Sequence, residues 1–129
     1  MDIALIRLSG MKLSFAGAYN PLLILRNKEI IIIKGDKAPI GKSDRSTNFT
    51  PHEVDLNKGN CLYLFSDGYP DQFGGPKGKK FMSKRLKALL ISIGHLPMEK
   101  QKDHLQTAFN EWKGINEQVD DVCIAGIRI

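Results

Sequence analysis

The chain has 129 residues, 42% hydrophobic and 26% charged, with a formal net charge of +5. That is the balance of one folded domain, long enough to bury a core without disulfides or a structural metal. It argues against a disordered tail, and the longest aliphatic run, residues 30–33, is far too short to span a bilayer, so no membrane segment is expected.

In chain order, DIALIRL (2–8) and MKLSFAGA (11–18) read as two strands joined by a short turn at Ser9-Gly10. PLLILRN and EIIIIKG repeat the pattern around Asn27-Lys28, where Asn tolerates the positive φ of a tight turn. GDKAPIGKSDRSTN (35–48) reads as a long surface loop. NFTPHEVDL (48–56) reads as an edge-like strand, with Pro51 where no ladder donor is needed. CLYLF (61–65) is an unbroken apolar run, expected to be a strand covered on both faces.

After Gly74-Gly75 the period changes. Phe81, Leu86, Leu89, Leu90 and Ile93 share one helical stripe, with Gly94 placed to end the helix at C′. Pro97 suits the first turn of a second helix with Met98, Leu105, Ala108, Phe109 and Trp112 on its apolar face, and Gly114 closes it. VCIAGIRI (122–129) is the last strand. Six strands, two helices and one strand imply an α+β fold, a largely antiparallel sheet with helices on one face. Cys61 and Cys123, each inside an apolar run, read as small buried hydrophobes of a reducing compartment. Met1-Asp2 leads straight into IALIRL with no signal-peptide pattern, so a cytoplasmic location is expected. The basic stretch PKGKKFMSKRLK (76–87) reads as a solvated loop entering a helix, so no nucleic-acid partner is expected.

Candidate chemistry lies in SDGYPD (66–71) and VDD (119–121). If the strands ending at Asp67 and starting after Asp120-Asp121 are antiparallel neighbours, Asp67 and Asp120 share one rim of the sheet, and Asp71 can lean over it. Clustered carboxylates raise one another's pKa unless a cation neutralises them, and oxygen-only clusters suit hard cations such as Mg²⁺ or Mn²⁺. Gly68 would supply the positive φ of a sharp turn that aims Asp67 outward. With Asp67 facing Asp120, Cys61 lies opposite Gly126, and a Cys61–Cys123 disulfide would contradict that register. Spacing alone leaves a second reading open: an ordinary Asp-Gly turn and a solvated loop.

LSFAGAYNPLLILR, APIG, LYLFSDGYPDQFGG and QVDDVCIAGIRI together resemble the C-terminal part of a SpoIIE-like phosphatase of the PPM group. The resemblance covers almost the whole chain, with the motifs in order. It implies an α-β-β-α sandwich with two Mg²⁺ or Mn²⁺ ions at one end. Hydrolysis of phosphoserine or phosphothreonine by a metal-activated water is the implied activity, without a covalent enzyme intermediate. Asp67 and Asp120 match the family's metal-ligand positions, Asp71 a position for a more weakly held ion, and Asp121 the position beside a ligand. The expected partners are a phosphorylated regulatory protein as substrate and an upstream sensory domain in a longer protein.

The family's leading half carries a bridging Asp-Gly and, in this branch, a TGHG stretch; neither occurs here. His52, His95 and His104 match no motif and are expected at the surface. Asn60 stands where relatives have Asp, in a turn where Asn should serve equally. The chain is therefore expected to be a single domain portion, 1–129, weak or inactive alone. A non-catalytic phosphatase-like module is the alternative. Half a sandwich also exposes an apolar sheet face, from which dimerisation or aggregation is expected unless something covers it.

Overall fold

The computed structural model describes residues 1–41 and 48–129, so part of the expected loop at 35–48 lies outside the described residues. β1 (Ile3–Ser9) and β2 (Lys12–Ala18) form a hairpin closed by Gly10, at φ 59°. Ser9 belongs to the strand and pairs with Lys12, so the turn sits one residue later than the sequence reading put it. β3 (Leu22–Arg26) and β4 (Glu29–Ile33) close across Asn27 and Lys28, both at positive φ (50° and 63°). That conformation matches the right-handed twist of the flanking strands. β5 (His52–Asp55) is an edge strand against β2, as the proline before it suggests.

β6 (Cys61–Phe65) is followed by a short hairpin, β7 (Phe73–Gly74) with β8 (Lys79–Lys80), that the sequence reading missed. Two-residue strands are too short for an alternation pattern to show. α1 (Ser83–Ile93), α2 (Met98–Lys113) and β9 (Ile124–Arg128) complete the chain. The strands form antiparallel sheets in the orders β1-β2-β5 and β4-β3-β6-β9, beside the small β7-β8 pair.

Two apolar layers explain why β6 carries no charged residue. Leu62 packs with Leu13, Phe15, Leu22 and Ile24 between the two sheets. Cys61 and Tyr63 face the helices, among Leu86, Leu90, Leu105 and Phe109. The architecture is the expected α+β partial sandwich with helices on one face.

Three local expectations need correction. Gly94 ends α1 but keeps right-handed geometry (φ −59°). A Cβ there would meet the end of the Leu25 side chain, so glycine leaves room for that side chain to pack where it does. The Gly94 carbonyl is capped by side chains: Arg128 Nη2 donates to it at 2.9 Å and Gln101 Nε2 at 3.3 Å. Cys123 is exposed, whereas Cys61 is buried as expected, and both are free thiols. His52 is half-buried, its ring 6.0 Å from that of Phe15, while His95 and His104 are exposed.

Asn60 is buried, and its side-chain oxygen accepts from Asn57 N–H at 2.9 Å and from Arg26 Nε at 3.2 Å. The amide thus offers these donors the oxygen that an Asp would. Gly114, at φ 53°, ends α2 as expected. Among the described residues, no helix is long and apolar enough to cross a membrane. Leu5, on the edge strand β1, and Ile31 and Ile32, on the edge strand β4, remain exposed.

Candidate metal centre

β6 and β9 are antiparallel neighbours, as expected, but two residues out of the expected register. Tyr63, not Cys61, lies opposite Gly126, and Cys61 faces Arg128. A two-residue shift keeps every side chain on its face, so the apolar pattern could not distinguish the two registers. The ladder ends at Phe65 opposite Ile124, short of the acidic residues.

Beyond that point Ser66 takes over. Its N–H donates to the Cys123 carbonyl at 3.0 Å. Its hydroxyl donates to the Asp121 carbonyl at 3.0 Å and accepts from Cys123 N–H at 3.0 Å. The chain then turns, with Asp71 N–H donating to the Asp67 carbonyl at 2.9 Å. Gly68 has no positive φ, contrary to expectation. Its Cβ would instead collide with the Asp121 carbonyl and approach Val122 Cγ2 at 3.3 Å, so the two backbones pass too closely for any side chain.

The turn is anchored to the helical layer. Tyr69 is buried between the rings of Phe81 (5.2 Å) and Phe109 (5.1 Å), and its hydroxyl donates to the Leu105 carbonyl at 2.7 Å. Burial raises its pKa. Gln72 is buried too, and its Nε2 donates to the Glu117 carbonyl at 2.9 Å, tying the Asp67 turn to the segment that delivers Asp120. Ser66, Tyr69 and Gln72 were not singled out from the sequence. A buried-strand exit followed by a single polar Gln before Phe73-Gly74-Gly75 is the signal that was available.

These contacts bring two of the three expected carboxylates together. Asp67 is an exposed residue, yet its carboxyl is held above the ordinary range. Partial desolvation in the turn is the first cause, followed by the charges of Asp120 and Asp71. Asp67 and Asp120 are thus close enough for the charge of one to act on the carboxyl of the other. One Asp120 oxygen also accepts from Asp121 N–H at 2.7 Å. Asp71 differs: its Oδ1 pairs with Lys80 Nζ at 3.3 Å, across from β8. Asp121 contributes backbone groups, accepting from Ser66 and donating to Asp120.

Two facing carboxylates at an accessible rim, with oxygen as the donor, fit a hard divalent cation such as Mg²⁺ or Mn²⁺. Among the described residues, no group of three or more His, Cys, Asp or Glu side chains is arranged to hold one.

The family model described as Stage II sporulation protein E (SpoIIE) matches residues 1–129. The chain belongs to the SpoIIE family. Comparison with curated proteins gives no match. Among solved structures, the SpoIIE-family chain is 32% identical to the SiaA-PP2C domain of Pseudomonas aeruginosa, at a TM-score of 0.85. That likeness covers 92% of this chain and 47% of that one.

The phosphatase domain of SpoIIE from Bacillus subtilis, presoaked with Mn, is 18% identical at a TM-score of 0.70, covering 100% of this chain and 56% of that one. The catalytic domain of the phosphatase PstP, solved with two manganese ions, is 15% identical at a TM-score of 0.63, covering 95% and 56%. The last two show the fold alone. The chain thus spans about half the length of these solved relatives.

Proposed function

We propose that residues 1–129 form the C-terminal portion of a metal-dependent protein serine/threonine phosphatase domain. Its substrate class is phosphoserine or phosphothreonine on a regulatory protein. The observation that carries this reading is the meeting of Asp67 and Asp120 from strand ends more than fifty positions apart in sequence. Membership of the SpoIIE family and the manganese complex of PstP support it.

In this reading Asp67 and Asp120 hold the divalent ion, Asp71 stands by at the rim, and Gly68 and Asp121 fix the approach of the two chains. The bound ion supplies neutralisation of phosphoryl charge and a lowered pKa for the attacking water. What the protein's own groups contribute is placement. Ser66 and Gln72 hold the two carboxylates in register, and the Asp71–Lys80 pair keeps a cation beside the rim.

In this reading the remaining ligands belong to a part of the domain outside this span, which covers 47% and 56% of these two solved relatives. The chain alone is therefore expected to bind Mn²⁺ weakly and to turn over phosphoserine peptides slowly or not at all. Isothermal titration with Mn²⁺ tests the reading, comparing the wild type with Asp67→Ala and Asp120→Ala. Loss of the binding isotherm in both variants supports it. An unchanged isotherm in either removes that residue from the site.

A second reading, a non-catalytic phosphatase-like module, is favoured by one observation: Asp71 is committed to Lys80, leaving two converging carboxylates. Phosphatase activity restored by supplying the leading half of a relative's domain would decide for the enzyme.

A further inference from the structure

At the same rim, on the helix side, lies a cleft of about 310 Å³. Its floor is apolar: Leu23 is buried, Phe65 half-buried and Ile32 partly open, with Pro21 beside them. Its walls are basic. Lys34 and Lys37 stand on one side, and Lys87, from the second turn of α1, on the other. Among the described residues, no Asp or Glu lines it. Among the described residues the one salt bridge joins Lys80 to Asp71, so these three ammonium groups have no carboxylate partner there. The start of α1 adds to the positive field, with Ser83 in the lining, no capping side chain and no acidic residue in the first turn.

The lysines are carried by a built segment. Asp36, between them, donates its N–H to the Gly17 carbonyl at 2.8 Å and accepts from Tyr19 N–H at 2.9 Å. The Asp36 carboxylate accepts from Thr50 N–H at 2.7 Å and from Thr50 Oγ1 at 2.9 Å. Gly17 and Gly35 cross so closely that a Cβ on Gly35 would lie 2.9 Å from the Gly17 carbonyl carbon. This crossing pins Lys34 and Lys37 to the end of β2, beside the start of β3.

We infer that this cleft binds an acidic, partly apolar peptide segment of the phosphoprotein substrate, so that carboxylates meet Lys34, Lys37 and Lys87 while an apolar side chain covers Ile32 and Phe65. The inference rests on the phosphatase reading for its biological role. Charge complementarity and the apolar floor select this occupant. A free anion would leave Ile32 and Phe65 uncovered, and a basic segment would be repelled.

Phe65 also fixes the spacing. It lies two residues before Asp67, about 7 Å of strand rise. The acidic residues of the substrate therefore fall roughly two to four positions from its phosphorylated residue, at about 3.4 Å per extended residue.

The test uses fluorescence anisotropy with the whole chain in metal-free, low-salt buffer. Its probe is an unphosphorylated, labelled peptide carrying a Glu-Leu-Glu-Asp core. Because the probe lacks phosphate and the buffer lacks metal, the result is independent of whether the chain is part of a phosphatase. Binding is expected to weaken at least tenfold in the Lys34→Glu/Lys37→Glu/Lys87→Glu variant. It should stay unchanged in Lys100→Glu.

A peptide with Lys in place of each acidic residue should bind the triple variant better than the wild type, which separates charge reversal from misfolding. Single Lys34→Glu and Lys87→Glu variants should give intermediate losses. Equal binding by the wild type and a folded triple variant would overturn the inference. So would a single-stranded oligonucleotide that binds more tightly than the peptide and is lost in the same variant. Peptide binding without phosphatase activity in the completed domain would sink the enzymatic reading and leave the cleft standing.

Discussion

Replacing Asp67 by Asn keeps the shape of the rim and removes one of two facing charges. Asp67 is exposed, so water-like screening applies. Two unit charges about 4 Å apart in such a medium repel by about 1 kcal/mol. The metal-free Asp67→Asn protein should therefore be the more stable, by up to about 1 kcal/mol, or roughly 3–5 °C in melting temperature. The pH dependence has a definite sign. A raised carboxyl pKa means that the folded chain holds this proton more tightly than the unfolded chain does. The wild type then loses stability relative to the variant as pH rises from the ordinary carboxyl range through the raised value. Below that range the two proteins should converge.

Manganese reverses the ranking. At a hundredfold excess over Kd, it stabilises a protein that binds it only when folded by about 2.7 kcal/mol. Asp67→Asn should lose most of that gain. Thermal melts in EDTA and across a Mn²⁺ titration, at pH 4 and pH 7, measure all three effects. A variant less stable than the wild type in EDTA at pH 7, or one with the same Mn²⁺ shift, would refute the idea of a charged pair awaiting a cation.

Other perturbations test the supports. Gly68→Ala drives a methyl group into the Asp121 carbonyl and should cost about 1–3 kcal/mol in urea melts, while also weakening the Mn²⁺ shift. A neutral outcome would mean that the two backbones can part freely. Gln101 accepts from the Tyr63 hydroxyl at 2.7 Å and donates to the Gly94 and Leu96 carbonyls. Gln101→Ala should cost about 3 kcal/mol by leaving buried groups unpaired; a loss under about 1 kcal/mol would show that water replaces the amide. Asp36 is held below its ordinary pKa, first by Thr50 N–H and then by the Thr50 hydroxyl. Its contribution is present above the ordinary carboxyl value and lost as pH falls through the lowered one. Asp36→Asn should flatten the acid limb of the stability curve below about pH 4, and a curve identical to that of the wild type would discount this clasp.

The strand and helix layers were legible because burial writes a period into the sequence. Apolar runs broken by turn residues marked the first hairpins, the unbroken CLYLF run marked a strand between two apolar layers, and the 3.6-residue stripes marked both helices. Register was not legible, since a shift of two residues leaves each face unchanged. The role of Gly68 and Gly94 was misassigned for a related reason. Glycine answers both to positive φ and to close approach, and only the neighbours, Asp121 and Leu25, tell which applies. The pairing of Asp67 with Asp120 could be inferred from antiparallel topology. The diversion of Asp71 to Lys80 could not, because the β7-β8 hairpin that delivers Lys80 leaves no periodic trace.

A pair of like charges raises the question of what holds it together before any cation arrives. The ladder stops at Phe65 and Ile124, so strand pairing does not. Uncharged tethers do: three hydrogen bonds through Ser66, and one from Gln72 to Glu117. At about 0.5–1.5 kcal/mol net for each bond, they outweigh about 1 kcal/mol of screened repulsion. The rim should therefore be organised in advance of the metal. Amide exchange at Ser66 and Cys123 is expected to change little between EDTA and Mn²⁺. Ser66→Ala, which leaves Cys123 N–H without the hydroxyl and frees the Asp121 carbonyl, should speed exchange at Cys123 about tenfold and weaken Mn²⁺ binding while both carboxylates remain. Wild-type protection and Mn²⁺ affinity in Ser66→Ala would mean that this stitch does not set the carboxylate geometry.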